Sequence, residues 1–259
     1  MKLKDTVHRG LGLKLGILGI FLVILWYTSG LAEVDLGYLV GNTDQMMIVF
    51  GRLLSPDWTY LDRIVPALIE TLQMAITGTV IGVLLALPVS FLSTTAFTKN
   101  PYISWPFRGL LNIIRTIPDL LLAALFVAVF GIGTFTGMLT IAIFTFGMLT
   151  KLFYETIETI DQKPLESLTS VGGNKAQIAR FGIMPQIMPN VISYTLYALE
   201  INVRASTVLG YVGAGGIGLT LQHAMSLLRY DRVSIIIIVI LAAVLIIDGF
   251  STWVRRRYL

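Results

Sequence analysis

The sequence predicts an all-α polytopic membrane protein of six transmembrane helices with both termini in the cytoplasm. Three observations carry that expectation. Of 259 residues, 55% are hydrophobic and only 13% are charged, with a mean hydropathy of +0.80, an apolar excess that a soluble domain of this length has no core to hide. Six windows approach the roughly 20 apolar residues that cross a bilayer. Lysine and arginine collect in alternate connections between those windows.

The first window, about 12–30, follows Lys2, Lys4, His8 and Arg9 and ends at Gly30-Leu31-Ala32. That pattern also fits a cleaved secretory signal, but five further windows follow, so it reads as the first span of a polytopic chain. Residues 31–65 hold Glu33, Asp35, Asp44, Asp57 and Asp62 against Arg52 and Arg63, which suits the outer side. Residues 1–65 are therefore expected to form one span and an extracytoplasmic loop, and residues 66–259 a core of five more spans. The second window is about 66–93. The third, about 113–132, carries Arg115, Pro118 and Asp119 at one end, where a first turn tolerates proline and charged side chains reach the interface. Gly131-Ile132-Gly133-Thr134 then makes a tight turn into the fourth window, about 135–153. The fifth and sixth lie at about 189–210 and 234–254.

Fourteen of the nineteen Lys and Arg residues fall in the N-terminal segment (Lys2, Lys4, Arg9, Lys14), the connection between spans 2 and 3 (Lys99, Arg108, Arg115), that between spans 4 and 5 (Lys151, Lys163, Lys175, Arg180) and the tail (Arg255, Arg256, Arg257). With six spans these segments share one side, which the positive-inside rule makes cytoplasmic. The same rule accounts for the basic excess of 19 Lys and Arg over 15 Asp and Glu, so nucleic acid is not an expected partner. The chain has no cysteine, and its two histidines, His8 and His223, are far apart; disulfides and thiolate metal sites are excluded.

The segment Ala198–Gly218, ALEINVRASTVLGYVGAGGIG, ends in G-x-G-x-x-G at Gly213, Gly215 and Gly218. A dinucleotide fingerprint requires a βαβ unit around those glycines. Here a helix-length segment precedes them and the apolar run SIIIIVILAAVLIIDGF follows, so no parallel sheet can form. On a helix, at about 100° per residue, Asn190, Ser193, Tyr197, Glu200, Arg204, Thr207 and Tyr211 share one face, with Ile192, Leu196, Leu199 and Val203 off it. An ionised side chain at the bilayer centre costs about 2.5 to 3.5 kcal/mol even on lenient scales. The stripe is therefore expected to face protein or a water-filled path. Glu200 precedes Arg204 by one turn, the favourable order for an intrahelical pair, and the pair also reads as self-neutralising inside a bundle. Gly213, Gly215, Gly216 and Gly218 read as a gate or re-entrant turn, or equally as a plain loop.

Residues 155–186 are too long for a tight connection. Leu165, Leu168 and Val171, then Ile178, Phe181 and Ile183, predict two short amphipathic helices broken at Gly172-Gly173, with Pro185 ending the second. Apolar faces on such a hairpin either dock a partner or pack back on the bundle.

Glu166, Gly172 and Pro185 match the spacing of the Glu-Ala-Ala loop of permease subunits of binding-protein-dependent ABC importers, which this chain resembles. Ser167 and Leu168 replace the two alanines, while Gly182 and Met184 replace the later Ile and Leu. The resemblance implies that Glu166, Gly172, Gly173 and Pro185 belong to a coupling helix docking on an ATP-binding subunit. EINVRASTVLGYVGAGGIG, with RTIPDLLLAALFV at Arg115–Val127, resembles the phosphonate branch of these importers over most of residues 66–254. It implies a methionine-importer-like permease bundle acting as a homodimer with two ATPase subunits and an extracytoplasmic phosphonate-binding protein in a bacterial inner membrane. The implied substrates are phosphonates, phosphite and phosphate. The chain holds no G-x-x-x-x-G-K-[ST] loop, so ATP and Mg²⁺ are expected on the partner, with no cofactor bound here.

The substrate pathway is expected to use Ser193, Tyr197, Glu200, Arg204 and Thr207, with Arg204 attracting the anion and Glu200 limiting its trapping. Permeases for methionine, betaine or nitrate are the nearer alternatives. A secondary transporter using Glu200 and Arg204 as an ion relay is the rival from another class, and predicts uptake without ATP. A membrane-embedded enzyme is disfavoured, because no nucleophile–base pair or metal cluster has suitable spacing.

Overall fold

The computed structural model describes residues 11–32, 36–98 and 100–258. Lys2, Lys4, His8, Arg9, Glu33, Asp35 and Lys99 lie outside them. The chain divides into two compact units, residues 1–51 and 52–259. In the first, α1 (Leu11–Leu31) is followed by α2 (Leu36–Gly41) and α3 (Thr43–Leu53), which runs into the unit boundary.

The second unit opens with a single turn, Trp58–Tyr60, capped by the Asp57 carboxylate, which accepts from the Thr59 amide at 3.1 Å. It continues into α4 (Leu61–Ser93). A short α5 (Thr95–Thr98) leads to α6 (Pro101–Thr116), and α7 (Asp119–Phe130) follows after a bend of 86°. The third window is thus not one straight helix. Pro118 removes an amide and pushes Ile117 into extended backbone, so Arg115 and Asp119 flank a break. Alone, the 12 residues of α7 reach only about 18 Å, short of a roughly 30 Å hydrocarbon core. Gly131 and Gly133, both at positive φ, turn the chain into α8 (Thr134–Glu158) as the sequence predicts.

Among the described residues, four helical stretches are long and apolar enough to cross a bilayer: Gly12–Leu31, Trp58–Ser93, Thr134–Glu158 and Tyr230–Arg257; the bent α6–α7 pair makes a fifth if it counts as one span. The helix expected to be the fifth span is present as α11 (Met184–Leu209). It is long enough, but its polar residues keep it outside that apolar group.

Close packing of α4 on α8 forms the centre of this unit. A Cβ on Gly78 would come within 2.7 Å of Ile141 Cγ2, and one on Gly82 within 2.6 Å of Thr145 Cβ. Small residues one turn apart let two helices meet where lipid leaves no hydrophobic gradient to hold them. Thr71, Ala75, Thr79, Ala86 and Ser90 are buried on the same helix. At one end of the bundle Ala86, Leu149, Phe153, Ile157, Leu165, Ile183, Ile187 and Val191 form an apolar core. At the other, Ile64, Ile217, Ala224, Val233, Ile235 and Ile236 form a second. The final elements are α12 (Gly216–Ser226) and α13 (Tyr230–Tyr258).

Candidate functional site: the polar face of α11 and the hairpin below it

The two faces of α11 do different work. Val191, Ala198, Asn202, Val203, Ser206 and Leu209 are buried. Asn202 Nδ2 donates to Thr79 Oγ1 and to Thr145 Oγ1, each at 2.7 Å, so one amide ties α11 to α4 and α8. On the other face, Asn190, Tyr197 and Arg204 are exposed while Ser193, Glu200 and Thr207 are half-buried, and Tyr211, also exposed, lies past the helix end in the turn Gly210–Val212. The predicted stripe is therefore one side of one helix, and it is left open along the surface of the single chain.

Glu200 and Arg204 pair across one helical turn, Arg204 Nη2 donating to Glu200 Oε1. The carboxylate is the covered member, 13% exposed against 54% for the guanidinium. Its second oxygen faces a second cation, Arg255 Nη2, at 3.5 Å. Sequence reading missed Arg255 by placing it among the tail arginines. α13 stays helical through Tyr258, so Arg255 sits one turn beyond the fully buried Ser251. That small residue within the last apolar stretch was the available signal. Two guanidinium groups thus share one carboxylate, leaving a local charge of +1. Thr207 Oγ1 donates to the Arg204 carbonyl at 2.6 Å, and Tyr211 reaches Met225 Sδ at 2.6 Å.

The glycine segment beyond α11 is buried from Gly213 to Gly218. Gly213, Gly215 and Gly216 have φ of +93°, +81° and +69°, values that disfavour any other residue. A Cβ on Gly210 would meet Gly218 backbone at 2.5 Å. Gly133 N donates to Gly213 O at 3.1 Å, and Ile217 N at the start of α12 donates to Thr71 Oγ1 at 2.8 Å. The segment is a packed turn wedged against α4 and α8.

The hairpin forms at the opposite end of α11. Its first limb is α9 (Lys163–Ser170), with Glu166 exposed in the first turn. It ends where Gly172, at φ +80°, lets the Gly173 amide reach Leu168 O at 2.9 Å, a left-handed helix stop. Asn174 and Gln177 form a capping box opening α10 (Lys175–Gln177). Pro185 does not end this second limb. A wide π turn, Ile178–Ile183, carries the helix onward, and Pro185 lies at its junction with α11, where Met184 N still donates to Ala179 O. The backbone is therefore helical without a break from Lys175 to Leu209, with Pro189 inside it. Gln186, another residue that sequence reading passed over, donates to Asp161 O at 3.3 Å and accepts from Asp161 N at 3.1 Å, closing the hairpin base. Leu165 and Ile183 pack into the core whereas Val171 and Phe181 stay 81% and 62% exposed: the hairpin both packs back and keeps an uncovered apolar edge. A cavity of about 690 Å³ opens beside it, lined by Phe97, Gln162, Glu166, Ser170, Asn174 and Lys175 among others.

Residues 78–259 match the family described as binding-protein-dependent transport system inner membrane component. The chain belongs to that family. This permease is 34% identical over 263 residues to the phosphite transport system permease protein PtxC of Stutzerimonas stutzeri, covering 98% of this chain and 94% of that one. It is 35% identical over 210 residues to the phosphate-import permease protein PhnE of Mycolicibacterium smegmatis, covering 81% of this chain and 40% of the relative. In fold it is similar to a chain of the MetNI methionine ABC transporter in an inward-facing conformation, with a TM-score of 0.69 at 19% identity over 78% of this chain and 98% of that one. The permease is a multi-pass inner-membrane component of a bacterial ABC transporter and a non-catalytic subunit.

Proposed function

We propose that this permease carries a phosphonate or a related phosphorus oxyanion, phosphite or phosphate, into the cytoplasm, and that the open polar face of α11 lines the passage. The observation that carries this reading is Arg204 on the uncovered side of α11, held by Glu200. A guanidinium fork matches the oxygens of a phosphorus oxyanion, and a carboxylate beside it keeps the anion from being held too tightly to leave. The similarity to a phosphite and a phosphate permease supports the substrate class.

The rest of the assembly follows from the same reading. Adding α11 and the bent α6–α7 pair to the four apolar helices gives six crossings, with both termini cytoplasmic. Two copies meet across the α11 stripes, Ser193, Tyr197, Glu200, Arg204 and Thr207 facing the shared passage, and Gly213–Gly218 forms its gate. An extracytoplasmic binding protein delivers the anion. Two ATP-binding subunits hold ATP and Mg²⁺ and dock on the hairpin through Glu166, Gly172, Gly173 and Pro185. Because the backbone is helical without a break from Lys175 to Leu209, a displacement of the hairpin is passed along α11 to Glu200 about 22 Å away, which alternating access requires.

Uptake of phosphite, phosphate and methylphosphonate by the complete importer tests this. Removing a hydrogen-bonded charge costs about 1.5 to 3 kcal/mol, so Arg204→Gln is expected to lower uptake by about 10- to 100-fold with ATP hydrolysis retained. Unaltered uptake in both Arg204→Gln and Glu200→Gln would remove the stripe from the pathway.

A further inference from the structure

Arg255 differs from the other arginines that pair across the bundle. Arg108 has the Glu158 carboxylate and donates to Ser93 O at 2.7 Å. Arg232 has Asp57 at 3.8 Å and lies 4.6 Å over the Tyr60 ring, with one buried, unbonded donor, its Nε; Arg255 has two such donors and no ring beneath it among the described residues. Among the described residues Arg255 has one carboxylate partner, which it shares with Arg204, and its Nε and Nη2 are buried without a hydrogen-bond partner there. The side chain is 33% exposed overall, but buried Nε and Nη2 donors left unmet are costly, and these two parallel N–H groups fit a bidentate oxyanion better than one distant carboxylate oxygen. The site has two forks, one acceptor group and a net charge of +1.

We propose that Arg255 and Arg204 together form a two-arginine seat for a tetrahedral oxyanion, and that Glu200 occupies this seat as a built-in surrogate while it is empty. The seat rests on the reading that α11 lines the passage, and it adds α13 to that passage. An arriving phosphorus oxyanion offers acceptors to both forks, satisfies the Arg255 donors and displaces the Glu200 carboxylate. Departure of the anion lets Glu200 return, which prevents an uncompensated pair of cations from trapping it.

The test is equilibrium retention of radiolabelled inorganic phosphate by the purified permease in nanodiscs of phosphatidylcholine. Glu200→Gln, which empties the seat of its surrogate, is expected to raise retention about tenfold, with unlabelled phosphite competing. Glu200→Gln combined with Arg255→Gln is expected to return it to the native level. Glu200→Gln with no gain, or a gain that persists beside Arg255→Gln, would overturn the seat. A gain removed by Arg204→Gln but not by Arg255→Gln would overturn it as well, while leaving Arg204 on the pathway. Adding phosphatidylglycerol separates the sources of the anion: displacement of the label by this lipid but not by phosphite would make the seat a headgroup site and overturn the substrate assignment. Should Glu200→Gln not yield a monodisperse permease, importer uptake carries the test. Arg255→Gln is then expected to lower uptake about tenfold and Arg255→Lys by less, and equal uptake in all three would contradict the seat.

Discussion

Asn202 and Arg204 are two residues apart and have opposite tasks. Asn202 joins three helices through Thr79 and Thr145, and hydrogen bonds between membrane helices contribute about 0.6 to 1.7 kcal/mol each. Asn202→Ala is therefore expected to destabilise the permease by about 1 to 3 kcal/mol, read as a lower midpoint of thermal unfolding in detergent; a midpoint equal to the native one would contradict the hub. The stripe holding Glu200 and Arg204 was legible in the sequence because helical periodicity alone puts them on one face. The Asn202 bonds were not, since Thr79 is 123 residues away and only packing of α4 against α11 brings it near. Arg255 was hidden for a related reason: in a run of three arginines, helix continuation alone separates a paired side chain from tail charge.

At the scale of elements, sequence rules did well where a local cause acts alone. The Gly131–Gly133 turn and the Gly172-Gly173 break both require backbone conformations that glycine supplies. They did less well at prolines. Pro118 breaks its segment, whereas the helical backbone runs on through Pro185. Within the hairpin Leu165 is buried and Phe181 exposed, so in the proposed function the first anchors the hairpin and the second docks. Covering a Phe side chain contributes about 1.5 to 3 kcal/mol. Phe181→Ala is therefore expected to leave the permease folded and to weaken its association with the ATP-binding subunit by roughly 10-fold or more, measured by co-purification at limiting subunit concentration. Undiminished association would remove the exposed edge from the interface.

For the whole molecule, charge placement and apolar length gave the membrane class and the helical bundle. They could not give the partition of α11 between a core face and an open face, which arises only when α4 and α8 cover one side. The central claim is that the open face borders water between two copies of the permease. The absence of native cysteine allows a direct measurement: Tyr197→Cys and Val203→Cys, made singly, are exposed to a membrane-impermeant anionic thiol reagent in vesicles carrying the assembled importer. The account predicts that position 197 is modified, is protected by transported phosphite and cross-links the two copies under oxidation, while the buried position 203 remains inert. Position 197 reacting no faster than position 203, with no cross-link between copies, would contradict it.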